Sequence, residues 1–248
     1  MRDPDDLSVQ LYTVRRLLAE DVDSTLAELA AIGFRQVEAF DLIAYRDRLR
    51  DALPRHELRA PFAHVDLLSN ELADVAEAAH ALGVTTVVQP WTDPQRWQTA
   101  DGIAALADAL TDVAARAANE DLRVAYHNHH FELATQIDGR HALEIFAERV
   151  GPSVALEVDA YWAFAGGADV PALLERLGEQ VIALHIKDGD GSLDTAHQVP
   201  AGAGAAPIAA VLDAAPDALP IVEFDETPGE ILEAIRASRR YVLGLASA

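Results

Sequence analysis

Short apolar runs alternate with longer amphipathic stretches along the whole chain. The runs of strand length are Leu7–Thr13, Arg35–Phe40, Leu58–Val65, Thr85–Trp91, Leu122–His129, Val154–Trp162, Val181–Asp188 and Leu219–Asp225. Between them, apolar residues recur at helical spacing. Ser24–Ile32 is one such stretch, closed by Gly33, and Glu71–Leu82 is another, closed by Gly83. A glycine just past the periodic residues is a common helix stop, because it adopts the left-handed backbone at little steric cost. Asp169-Val170-Pro171 opens a further helix over Ala172–Leu177, with proline near the start, where its missing N–H costs nothing. Ala44–His56, interrupted by Pro54, and Pro207–Ala215 read as shorter or irregular.

Eight strand–helix units predict a parallel sheet, since each crossover is long enough to hold a helix. Eight is also the number that closes a (β/α)8 barrel in a chain of about 250 residues. A doubly wound open sheet is the main rival. It usually carries a glycine-rich phosphate turn after an early strand, and here the first strand runs into Gln10-Leu11-Tyr12-Thr13. No linker or low-complexity segment divides the chain. The expectation is a single α/β domain over residues 1–248, a (β/α)8 TIM barrel.

Strand side chains alternate between two faces, so each strand can be divided by parity. In Val181–Asp188 the branched set Ile182, Leu184 and Ile186 is expected to pack on the helices, leaving Ala183, His185 and Lys187 inward. The same division puts Ala155, Glu157 and Asp159 inward, then Ile221, Glu223 and Asp225, then His127 and His129. Tyr126 goes outward with Leu122 and Val124. Earlier strands contribute Gln10, Glu38, His64 and Gln89 to the interior. These polar residues lie towards the carboxyl ends of their strands, the end of a barrel where active sites are built.

Composition narrows the partners. The net charge is −22 over 248 residues, which repels phosphate backbones and anionic lipid, so neither nucleic acid nor membrane is an expected partner. No run of about 18 apolar residues is present to span a bilayer. Met1-Arg2-Asp3-Pro4-Asp5-Asp6 lacks the apolar centre of a signal peptide. The absence of cysteine removes disulfides and thiolate metal sites and fits a cytoplasmic protein.

The densest chemistry lies in Tyr126-His127-Asn128-His129-His130-Phe131-Glu132. Glu132, Asp159, His185 and Glu223 together offer three carboxylates and one imidazole. That donor set suits Mn2+, Co2+ or Mg2+, with Zn2+ also accommodated. A dication is the simplest way to keep converging carboxylates ionised. Open positions on it would grip vicinal oxygens of a sugar, while Lys187 steadies an enediolate oxygen. His129 is a further candidate base. Glu157 reads as a paired interior carboxylate, and Trp162, Trp91 and Phe62 as pocket walls.

Several motifs in order resemble the xylose isomerase-like (β/α)8 superfamily, in particular its sugar phosphate isomerase/epimerase group. They are Val9-Gln10-Leu11-Tyr12-Thr13, Tyr126-His127-Asn128-His129 with Phe131-Glu132, Glu157-Val158-Asp159 with Trp162, His185-Ile186-Lys187-Asp188, Pro200 with Gly202 and Gly204, and Val222-Glu223-Phe224-Asp225. The resemblance implies a divalent metal, Mn2+ first, held by Glu132, Asp159, His185 and Glu223, with His127 or His129 as substitutes at the first corner. It implies Glu132 and Glu223 as the two proton-transfer bases, with His129 as base should Glu132 be displaced. Gln10, His64, Gln89, His127, Trp162 and Lys187 are the expected substrate contacts. The implied activity is isomerisation or epimerisation of a small sugar or keto-polyol through a metal-stabilised enediolate, and the implied assembly is a homo-oligomer. Two rivals remain open: a lyase or dehydratase acting on a keto-sugar or inosose, and a non-catalytic barrel that binds a ligand or partner subunit.

Overall fold

The computed structural model describes residues 6–245; the expected domain limits at residues 1 and 248 fall outside them. Eight strands run parallel around the centre: β1 Ser8–Val9, β2 Gln36–Ala39, β3 Arg59–His64, β4 Thr86–Gln89, β5 Arg123–His127, β8 Ala155–Asp159, β9 Val181–Ile186 and β10 Leu219–Val222. A small antiparallel hairpin, β6 Gln136–Ile137 with β7 Arg140–His141, lies between β5 and β8. The parallel sheet runs in the order β1-β10-β9-β8-β5-β4-β3-β2. A bridge between Gln10 and Glu38 joins the two end strands and closes the barrel, so the sheet has no free edge. The protein is therefore a single (β/α)8 barrel.

Each of the eight parallel strands lies inside its predicted run and is shorter, because the carboxyl ends peel away into turns; the hairpin β6–β7 was not predicted. Residues Leu11–Val14 form a 3-10 turn, and Ala160–Ala165 a short helix. The helical reading also holds, with adjusted limits. Val22–Ile32 is capped by Asp21, whose carboxylate accepts from the Ser24 N–H, and ends on Gly33 at φ +107°. Leu72–Leu82 ends on Gly83, and Val170–Leu177 is capped by Asp169. Leu42–Ala52 stays regular until Leu53–His56 tightens into a 3-10 turn around Pro54. Ile208–Ala214 is a short regular helix. Among the described residues no helix is long and apolar enough to cross a membrane.

One continuous apolar layer lies between the barrel and its helices. A separate small cluster of Val88, Ala125 and Ala155, with Phe62 and Ile182 against it, occupies the lower lumen. Three side chains depart from the expected parity. Val88 joins this cluster, and Gln89 turns towards the loop after β3. Ile182 joins it too, although it was expected to face the helices. The pairing of β8 with β9 slips by one residue between Leu156 and Glu157, leaving Ile182 as the extra residue of a bulge. Such a bulge leaves one residue unpaired, bends the strand locally and re-aims that side chain. Beyond it Asp159 pairs with His185, so their side chains rise into the lumen side by side.

Candidate active site and metal centre

Above the apolar floor lies a layer of imidazoles around one carboxylate. Glu157 Oε1 is 2.7 Å from His64 Nε2, 3.1 Å from His127 Nδ1 and 3.1 Å from His185 Nε2. His185 Nε2 also meets Glu38 Oε2 at 2.7 Å, and Gln10 Nε2 donates to that oxygen at 2.8 Å. Glu38, Glu157 and His185 are fully enclosed. Burial pushes the Glu157 carboxyl up, but the imidazoles of His185, His64 and His127 outweigh it and hold the group well below the usual carboxylate range. Glu38 moves the opposite way, raised by burial and by the charges of Glu157 and Glu223. Burial draws His185 well below its ordinary value. For His127 burial pulls down, yet the bond and charge of Glu157 leave it raised.

The next layer is built on Lys187. Its ammonium is fully buried, donates to Asp159 Oδ2 at 2.6 Å and to Glu223 Oε2, and lies 3.4 Å from Asp225 Oδ2. Burial alone would lower the lysine, but Asp159, Asp225 and Glu223 raise it well above its ordinary value. One ammonium among three carboxylates does not neutralise them all. Glu223 is pushed up to about 8, by burial first and by the charge of Asp225 next. Asp159 is oriented by the helix it caps, since Trp162 N–H donates to Oδ1 at 2.8 Å. Its Oδ2 faces His127 Nε2 at 3.9 Å. Trp162 is buried, with Lys187 Nζ 5.5 Å from its ring centre.

Glu132 stands apart from both layers. It is fully buried on a one-turn helix, Phe131–Ala134. Its Oε1 accepts from Tyr126 Oη at 2.7 Å and its Oε2 from His129 N–H at 3.0 Å. Tyr126 points outward as parity predicts, packed among Trp97 and Phe146, so it draws Glu132 towards the helices. Burial lifts this carboxyl to about 7 despite those bonds. His129 lies near the upper layer, half-buried, and is held well below its ordinary value through burial and the charges of His127 and Lys187.

Two expected substrate contacts are engaged by the protein itself. Gln10 bonds Glu38 and the Tyr12 N–H, while Gln89 bonds the Leu67 N–H, Asp66 and the Trp91 carbonyl. Trp91 is 52 % exposed. Other motif residues prove to be braces. Asn128 Oδ1 accepts from the Asp159 N–H at 3.0 Å, tying the ends of β5 and β8 together. Asp188 accepts four backbone N–H groups, from Gly189, Gly202, Gly204 and Ala206, at 2.8 to 3.0 Å. A Cβ at Gly204 would meet Asp188 Oδ1 at 2.3 Å, which accounts for glycine there. Glu38 and Asp225 carried no role in the sequence reading. Their inward parity was the available signal, and only the partner strands show what they meet.

Two sets of side chains bring ligand atoms within 4.8 Å of one another: Asp159, His185 and Glu223, and His64, His127, Glu157 and His185. His185 belongs to both. Glu38 Oε1, Glu157 Oε2 and His185 Nδ1 are buried without a hydrogen-bond partner. Buried lone pairs left unmatched are costly, and a cation is what such a donor set fits.

A closed parallel barrel with carboxylates and imidazoles converging at the carboxyl ends of its strands defines a class of metal-compatible (β/α)8 proteins. Residues 26–241 match the family described as xylose isomerase-like TIM barrel, and the chain belongs to it. Similar solved structures include a sugar phosphate isomerase/epimerase from Parabacteroides distasonis, 18 % identical with a TM-score of 0.81 over 97 % of this chain and 94 % of that one. The IOLI protein with a bound zinc atom is 18 % identical, TM-score 0.73, covering 97 % and 98 %. A probable 3-DHS dehydratase, AsbF, from Bacillus anthracis is 13 % identical, TM-score 0.74, covering 96 % and 98 %. At these identities the likeness is one of fold. None of the curated proteins matches the chain.

Proposed function

We propose that this protein is a divalent-metal-dependent isomerase or epimerase of a small sugar or keto-polyol, acting by proton transfer next to a carbonyl. The observation that carries the reading is the meeting of Asp159, His185 and Glu223 around Lys187 at the carboxyl end of the barrel. Asp159, His185 and Glu223 would hold the metal, Mn2+ first, with Co2+, Mg2+ or Zn2+ as alternatives. His127 is the best-placed fourth corner. Its Nδ1 is fixed by Glu157 and its Nε2 faces Asp159, the carboxylate–histidine arrangement that orients metal-bound imidazoles. Glu132, expected at that corner, is engaged by Tyr126 and His129 instead.

A bound dication supplies positive charge that lowers the energy of an enediolate. The protein's own groups do the rest. Glu223, beside Lys187 and Asp225 in the lumen, is the first candidate base, and His129 is the second. Lys187 places a fixed ammonium where an oxygen gains charge, and a preorganised donor in a water-poor site is the larger electrostatic contribution. Asp159, fixed through Oδ1 by the Trp162 N–H, holds the ammonium through Oδ2.

The position of Glu132 favours a second reading. A two-base epimerisation needs bases on both sides of one carbon, whereas elimination of a β-substituent needs one base and an acid for the leaving group. With Glu132 held in the helix layer, a keto-sugar or inosose lyase needs no second base on the opposite side of that carbon. The discriminating experiment incubates metal-loaded protein with keto-sugars in D2O. Exchange of a carbon-bound proton without loss of a substituent supports the isomerase. Release of water or another leaving group supports the lyase. Neither exchange nor release, with no metal retained, leaves a binding barrel.

A further inference from the structure

Beside the polar layers, at the carboxyl ends of the first four strands, a cavity of about 310 Å³ opens to solvent. One wall is apolar: Tyr12 and Phe40 meet edge to face with centroids 5.7 Å apart, and Ile43 lies beside them. The other wall is polar and carries Asp41, Asp66 and Asn70. At its inner end is His64, whose Nε2 is 2.7 Å from Glu157 and whose ring stacks on His185 at 5.3 Å. His64 is thus shared between the cavity lining and the imidazole layer of the candidate site.

Two features restrict what fits. Among the described residues no lysine or arginine lines the cavity. Arg15 lies 4.2 Å over the Tyr12 ring and is bound to Glu226 and the Asp225 carbonyl. A phosphate would face two carboxylates with no cation of its own. Asp41 begins the helix Leu42–Ala52 in a left-handed conformation, φ +46°, and its side chain makes no capping hydrogen bond. An acidic side chain at a helix start ordinarily caps it. Asp41 is exposed, so its carboxylate is open to solvent and to a ligand in the cavity. Aromatic faces suit the C–H faces of a pyranose, and carboxylate and amide oxygens suit its hydroxyl donors. The volume is that of one ring, at the small end of ligand pockets.

We propose that this cavity holds a second, uncharged sugar ring, so that the substrate is a neutral disaccharide-like glycoside and not a phosphosugar. The inference builds on the proposed reaction, which needs only the ring at Lys187. Tyr12 and Phe40 are specificity residues that never reach the reacting atoms.

The test is calorimetric binding of glucose, glucose 6-phosphate, cellobiose, maltose and phenyl β-glucoside to wild type, Phe40→Ala and Tyr12→Ala. The exposed Tyr12 variant serves as the control should Phe40→Ala fold poorly. At least one disaccharide is expected to bind about tenfold more tightly than glucose, and removing either ring should erase about five- to tenfold of that gain while leaving glucose unchanged. Disaccharides no tighter than glucose, glucose 6-phosphate as the tightest ligand, phenyl glucoside exceeding both disaccharides, or a gain that survives both variants would each overturn the proposal. Metal retention and D2O exchange are read separately. Exchange without a disaccharide gain sinks the cavity reading alone, and a gain without metal or exchange sinks the reaction reading alone.

Discussion

Tyr126 Oη donates to Glu132 Oε1 across 2.7 Å, from the outer face of β5. The phenol belongs to the helix layer, so the carboxylate that the sequence sends to the rim is drawn sideways, out of reach of the lumen groups. Glu132→Gln should accordingly leave Mn2+ affinity within about twofold of wild type by titration. Tyr126→Phe should destabilise the fold by about 1–3 kcal/mol in urea, because it leaves a buried carboxyl oxygen without a donor. A Glu132→Gln protein that no longer binds metal would return that residue to the metal site.

The same carboxyl makes stability depend on pH. Its folded value of about 7 exceeds the ordinary 4.5, so between these values the folded state binds more protons than the unfolded. Stability from this group is complete below pH 4.5 and is lost as pH rises to about 7. The gap corresponds to roughly 3 kcal/mol. Urea melts of wild type and Glu132→Gln from pH 4.5 to 8 should diverge by this order, the wild type falling relative to the variant. Parallel curves would refute the assignment.

Metal should be legible in the melting temperature. A ligand that binds only the folded state adds about 2.7 kcal/mol at a hundredfold excess over its Kd. Mn2+ or Zn2+ should raise the midpoint of EDTA-stripped protein, and Asp159→Asn or Glu223→Gln should remove the shift. If wild type and both variants respond alike, the cation binds elsewhere.

Lys187 is the sole ammonium contacting Asp159, Glu223 and Asp225 among the described residues. Lys187→Met removes the partner of buried charges, a change that costs about 3–5 kcal/mol. Added Mn2+ should recover part of the loss, because a dication on Asp159 and Glu223 replaces the missing charge. A variant as stable as wild type in EDTA would show that these carboxylates are already neutral.

Which parts of this were legible follows from the range of each force. The barrel could be read from the alternation of short apolar runs and helical stretches, since strand and helix periods are local and eight crossovers leave few topologies. Inward parity found His127, Glu157, Asp159, His185, Lys187, Glu223 and Asp225, because a strand's two faces follow from its own residues. The bulge at Ile182 and the displacement of Gln89 by Val88 were not legible, because register depends on the neighbouring strand. Nor was the fate of Glu132 at the end of Tyr126–Glu132. Sequence proximity brought that carboxylate to the rim, and a phenol on the opposite face of β5, buried among Trp97 and Phe146, decided where it points. The sequence alone determines which groups are available to the lumen. Only the tertiary structure decides which are paired with one another and which remain free for a ligand, because hydrogen bonds between strands far apart in the chain set that balance.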